Sequence, residues 1–140
     1  KKIKALLYHS INPILCVGET QEEREMGSTE QVIASQLEGA FKGIDPSELY
    51  FTSVAYEPVW AIGTGNTCDT QEANRVCEFI RNKLAKLLDE EVAQHIRVLY
   101  GGSVKADNAA ELFHQPMIDG GLVGGASLDA ESFSRIVRSA

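Results

Sequence analysis

Glu57 stands at the end of the apolar run SVAY. It is followed at once by Pro58, then by Val59, Trp60, Ala61 and Ile62, then by Gly63, Thr64 and Gly65. Proline biases the residue before it toward an extended backbone, so the Glu57 side chain is held at the mouth of the strand end. A carboxylate in such apolar, water-poor surroundings has the chemistry of a general base, because desolvation raises its pKa toward working pH. The plainer reading of Glu57 is a surface or helix-start carboxylate. The segment after it is apolar between a rigid start and a Gly-Thr-Gly end, which is the make-up of a lid. Closing it would exclude water from Glu57 and present the Gly63 N–H to a ligand.

Other apolar runs end in comparable residues: GETQEER at 18–24, YGGS at 100–103 and VGGAS at 123–127. Taken singly, a Gly-Gly pair is a tight turn. Several glycine-bearing ends on one face would let a ligand approach backbone N–H groups with no side chain in the way, and such groups at a helix start suit phosphate.

The elements that must position these residues follow from periodicity. Residues 13–18, 49–57, 96–102 and 118–125 are short apolar runs of the length expected for strands buried on both faces. Between them lie amphipathic stretches. Ser28 with Gln31 has the spacing of a capping box, before Ile33, Leu37, Ala40, Phe41 and Ile44. Asp69 with Glu72 opens a stripe through Ala73, Val76, Cys77, Ile80, Leu84, Leu87 and Leu88. A shorter helix is expected over about 107–114, and a last one over about 129–137 that buries Phe133, Ile136 and Val137. With the helical start at Ile3, Leu6 and Leu7, the order is a helix end and then four strand-helix units. That alternation implies parallel strands joined by crossover helices. An open doubly wound sheet and a section of an eight-stranded barrel both satisfy it, and in each the function collects at the strand ends. Four strands cannot close a barrel, so on the second reading residues 1–140 are a single partial domain.

The 140 residues are 44% hydrophobic, enough for one domain with a real core. A net charge of -7 argues against nucleic acid and anionic membranes as partners. Cys16, Cys68 and Cys77 are odd in number and have no framework spacing, which fits reduced thiols and a cytoplasmic protein. No stretch approaches the roughly 20 apolar residues of a membrane span, and the opening KKIKALLYHS is too short and polar for a secretion signal. The opening lacks an initiator Met and starts in helical pattern, so the chain is expected to begin inside something larger.

AYEPVWAIGTG at 55–65 resembles the signature of the triosephosphate isomerase family. LYGGSV and LVGGASL are similar to its two downstream phosphate-loop motifs, and PILCVGET followed by EER to its fifth strand and the loop after it. The resemblance spans the chain as the C-terminal half of a TIM (β/α)8 barrel, from the end of the fourth helix onward. It implies interconversion of dihydroxyacetone phosphate and glyceraldehyde 3-phosphate through an enediolate, without metal or cofactor. Base tuning and lid closure are standard properties of this family and come with the resemblance.

Residue by residue, the resemblance makes Glu57 the carboxylate that moves the proton. It gives Gly63, Ser103, Gly124 and Gly125 the substrate phosphate, and Tyr100 and Ser103 the closed lid. Pro58 and Trp60 belong to the lid, Glu19 lies near Trp60, and Arg24 and Cys16 support the site from behind. Taken alone, Cys16 reads as a buried core thiol.

There are two departures. NTC at 66–68 stands where a lysine followed by small residues is common, which bears on lid opening and not on the chemistry. The family's first-strand asparagine and lysine, and the histidine that polarises the carbonyl, belong to an N-terminal half that this sequence lacks, as does the loop that builds the family's homodimer. His9, His95 and His114 do not replace that histidine, each reading as a surface or packing residue. Two other functions compete: a catalytically inactive half-barrel fragment that at most binds phosphate, and another phosphate-binding barrel enzyme such as an aldolase or a tryptophan-pathway synthase. The second has no reason to carry EPVWAIGTG.

Overall fold

The computed structural model describes residues 1–62 and 66–140. Three strands, β1 (Ile14–Val17), β2 (Ser53–Tyr56) and β3 (Arg97–Tyr100), form a parallel sheet in that order. Leu15, Val54 and Val98 stand in register, as do Val17, Tyr56 and Tyr100 one pleat along. Parallel neighbours require crossovers. α2 (Gln21–Glu25) and α3 (Thr29–Phe41) cross from β1 to β2, and α4 (Thr70–Leu87) and α5 (Glu90–His95) from β2 to β3; α1 (Lys2–Tyr8) precedes the sheet, and α6 (Ala109–Phe113) and α7 (Ala130–Val137) follow it.

The fourth expected strand is reduced to a single parallel bridge between Tyr100 and Gly121, so the four strand-helix units become three strands and a strand-like run. The cause lies in Asp119 and the glycines beside it. The Val98 N–H, which a regular ladder would hand to a backbone carbonyl, donates instead to the Asp119 carboxylate at 2.7 Å. The backbone bonds that remain are Asp119 N–H to Val98 O, Tyr100 N–H to Gly120 O and Leu122 N–H to Tyr100 O. Gly120 takes φ +151°, in a region that disfavours side chains.

Local chemistry explains the other differences. Ser28 is the N-cap residue of α3 but makes no side-chain cap bond, so its expected box with Gln31 is not formed. Reciprocal boxes occur at Thr20 with Glu23, which opens α2, and at Asp45 with Glu48. Asp69 caps α4 as expected, accepting from the Gln71 and Glu72 N–H groups.

One face of the sheet is packed by α3 and α4. Ile33, Leu37, Val76, Cys77, Ile80 and Leu84 are fully buried with Val54, Tyr56 and Val98. Each large aliphatic side chain so removed from water contributes about 1.5–3 kcal/mol. Only Ile136 of the expected α7 triad is buried. Phe133 and Val137 are 39% and 57% exposed, because no described element covers that side of the helix.

Candidate active site

Glu57 leaves β2 with its N–H bonded to Val17 O at 2.7 Å, and Gly101 N–H donates to Tyr56 O at 2.8 Å. These bonds extend the parallel ladder past both strand ends and bring residues 18, 57 and 101 side by side. The packing there leaves no room for side chains beside Glu57. A Cβ on Gly101 would lie 2.7 Å from Glu57 Cγ, and one on Gly18 would lie 1.8 Å from Glu57 O. Gly18 is also clamped by Gln36 of α3, whose amide accepts from Gly18 N–H and donates to Gly18 O, both at 2.9 Å. Sequence reasoning offers the glycine-bearing strand ends as tight turns or as backbone open to a ligand and gives no role to Gln36; at Gly18 and Gly101 it is the close approach of Glu57 that requires glycine. The only signal for Gly18 was a glycine directly after an apolar run.

Glu57 is half-buried. Cys16, on the same sheet face, hydrogen-bonds to it. Partial desolvation first, then the Glu57 charge and that bond, push the thiol up to about 11. The buried core thiol read for Cys16 from its type alone is corrected, because the residue is exposed. It lies on the sheet face opposite α3 and α4, with Ile14 two residues before it 49% exposed.

The expected phosphate residues converge. A pocket of about 450 Å³ is lined by Glu57, Ile62, Ser103, Lys105, Gly124 and Gly125, among others. Nothing lies within 4 Å of a Cβ built on Gly124 or Gly125, so packing within the described residues does not require glycine at either position. A ligand brought against the backbone would. Gly63, the other expected phosphate residue, lies outside the described residues.

Behind Glu57 the chain builds a buried polar cluster. Glu19 is completely buried, and its Oε1 accepts from Trp60 Nε1 at 2.9 Å and from Tyr56 Oη at 3.1 Å. Arg24 Nη1 lies 3.6 Å from that oxygen and 3.3 Å from Glu72, while its guanidinium stacks 4.3 Å from the Trp60 ring centroid. The carboxylate thus holds the turn Val59–Ala61 that follows the buried Pro58, and Arg24 links it to the first turn of α4. Burial, and then the Glu19 charge, keep the Tyr56 hydroxyl protonated far above its ordinary range. Tyr100 is likewise buried, its hydroxyl against Gly102 and hydrogen-bonded to Cys68, just beyond the undescribed residues. Burial dominates in raising its pKa.

None of the three histidines lines the pocket with Glu57. His9 follows α1, His95 packs edge-on against Tyr50 and bonds Glu91 O, and His114 bonds Ala110 O. Among the described residues no group of three or more His, Cys, Asp or Glu side chains is placed to hold a metal ion. No described helix is long and apolar enough to cross a membrane.

Comparison with known proteins gives one consistent result. A family model described as triosephosphate isomerase matches residues 1–140. The triosephosphate isomerase of Pediococcus pentosaceus is 50% identical over 137 residues, covering 98% of this chain and 55% of that protein. That of Rhodopirellula baltica is 50% identical over 140 residues, with 100% and 55% covered. That of Carboxydothermus hydrogenoformans is 51% identical over 138 residues, with 99% and 55% covered. The chain therefore spans about half the length of the curated relatives it matches.

Proposed function

The chain belongs to the triosephosphate isomerase family, and from that premise we propose that it supplies the base, the lid and the phosphate loops of an aldose-ketose isomerase. The substrates are dihydroxyacetone phosphate and D-glyceraldehyde 3-phosphate, and the setting is glycolysis and gluconeogenesis in the cytoplasm. The observation that carries this reading is the pocket that Glu57 shares with Ser103, Gly124 and Gly125.

Glu57 takes a proton from the carbon next to the carbonyl, leaving an enediolate, and returns it to the neighbouring carbon. The backbone at Ser103, Gly124 and Gly125, with Gly63, holds the phosphate and so fixes which carbon faces the carboxylate. The segment from Pro58 onward closes over the intermediate, with Tyr100 and Ser103 bonding the closed lid, and keeps out the water that would let phosphate be expelled. The Glu19, Arg24 and Trp60 cluster sets where that segment starts, and Cys16 backs the base. No metal or cofactor enters this scheme.

The group that polarises the carbonyl is assigned to the rest of the barrel, outside these 140 residues, together with the contacts of a family homodimer. A second reading has one specific observation in its favour: among the described residues, no histidine shares the pocket with Glu57. On that reading the 140 residues by themselves form a half-barrel that binds phosphate and turns nothing over.

Glu57→Gln in the complete protein tests the assignment. Turnover is expected to fall by about 10²- to 10⁴-fold, the weight of one general base, while the affinity for a phosphate ligand changes little. Unchanged turnover would remove Glu57 from the mechanism.

A further inference from the structure

Among the described residues lining the pocket with Glu57, Lys105 is the one cation, and no role has been given to it. The chain carries a net charge of -7 and Glu57 adds a carboxylate to the pocket itself, so the surrounding field opposes an anionic ligand. Backbone N–H groups can position a phosphate, but they carry no net charge to offset that field.

Two features make Lys105 fit to do so. First, its charge is not consumed. Asp69, Asp107 and Glu111 line the neighbouring depression with it, yet among the described residues Lys105 forms no ion pair. Second, its backbone is held. The Asn108 side chain accepts from Lys105 N–H at 2.8 Å and donates to Ser103 O at 3.0 Å. One amide thus closes the short loop that carries both Ser103 and Lys105, fixing where the lysine stem starts relative to the Ser103 backbone.

We propose that Lys105 is an anion-binding residue of this pocket, and that Asn108 is the positioning residue that holds its loop in place. The ligand class is a phosphate monoester or inorganic phosphate. The inference rests on the phosphate reading of the pocket given above. Lys105 acts through its charge, and its ammonium stays solvated enough to be screened by salt. Asn108 acts through geometry alone.

The test is calorimetric titration of inorganic phosphate into the complete protein at about 20 and about 200 mM salt, conditions between which the screening length falls from about 20 Å to below 10 Å. Isomerase turnover of the unsubstituted protein is measured alongside. Lys105→Ala is expected to weaken binding about two- to fivefold at low salt, the range of one exposed ion pair, and to flatten the salt dependence. Lys105→Glu should weaken it by about tenfold or more. Asn108→Ala, which leaves every charge in place, should weaken binding while retaining the salt dependence. Lys105 is exposed, so neither of its substitutions threatens folding. If the unsubstituted protein binds phosphate and Lys105→Glu binds within about twofold of it at low salt, well short of the roughly tenfold loss expected when a charge facing the ligand is reversed, the role of Lys105 is overturned and the function of the pocket stands. If the unsubstituted protein neither binds phosphate nor turns over triose phosphate, the functional reading falls and this inference falls with it.

Discussion

Val17, Tyr56 and Tyr100 share the sheet face that α3 and α4 cover, and none is more than 2% exposed. Ile14, Cys16 and Arg97 project from the other face, and all three are exposed. A parallel sheet is ordinarily covered on both sides, and among the described residues α3 and α4 cover one of them. The covered face holds the strands in register and holds Glu19 behind the site. The open face leads up to Cys16 and Glu57 at the strand ends. Most of the buried apolar contacts therefore lie on one side of the sheet, and Cys16 meets Glu57 on the other.

The largest effect that would break this contrast is in the core. Leu84→Ala, at a completely buried position of α4, is expected to cost about 2–5 kcal/mol, read as a lowered urea midpoint. A cost below about 1 kcal/mol, well under that range, would mean the helix layer is not the main source of stability. A chemical effect sharpens the other side. Burial is the larger cause of the raised Cys16 pKa, and the Glu57 charge and hydrogen bond add to it. Glu57→Gln removes that charge, so the thiol pKa falls from about 11 toward its ordinary value and more thiolate is present at about pH 9. Alkylation of Cys16 in the 140-residue chain should then speed up about two- to tenfold, in proportion to the thiolate present; an unchanged rate would mean the two side chains do not interact. The smallest effect is at Ile14, half-exposed on the open face. Ile14→Ser in this chain should shift stability by less than about 0.5 kcal/mol, measured by the same urea titration.

The sequence revealed the parallel α/β pattern through its alternating apolar runs, and the pocket through the types and order of its strand-end residues. Glu57, Ser103, Gly124 and Gly125 line it together, although they come from three well-separated stretches of the chain. What united them was a shared position at the ends of parallel strands. Less legible was anything decided by a competing partner. The run 118–125 is as apolar as the other strands, but the Asp119 side chain takes the Val98 N–H and leaves one bridge. Ser28 has the spacing of a capping box, yet its φ and ψ of -96° and 5° do not orient the hydroxyl toward the helix start. Cys16 has the residue type of a core thiol, but its pleat parity puts it on the face that no described helix covers. Asn108 and Lys105 escaped notice because a side-chain amide that closes a loop leaves no periodic trace.

The central claim is that Glu57 moves a proton between adjacent carbons of a phosphorylated triose. Its most direct test is to incubate the complete protein with dihydroxyacetone phosphate in deuterated water and follow the carbon-bound hydrogens by NMR. Deuterium is expected to enter at the carbon beside the carbonyl with the unsubstituted protein, and this exchange to be nearly abolished by Glu57→Gln. Exchange that persists at the original rate in the variant would contradict the claim.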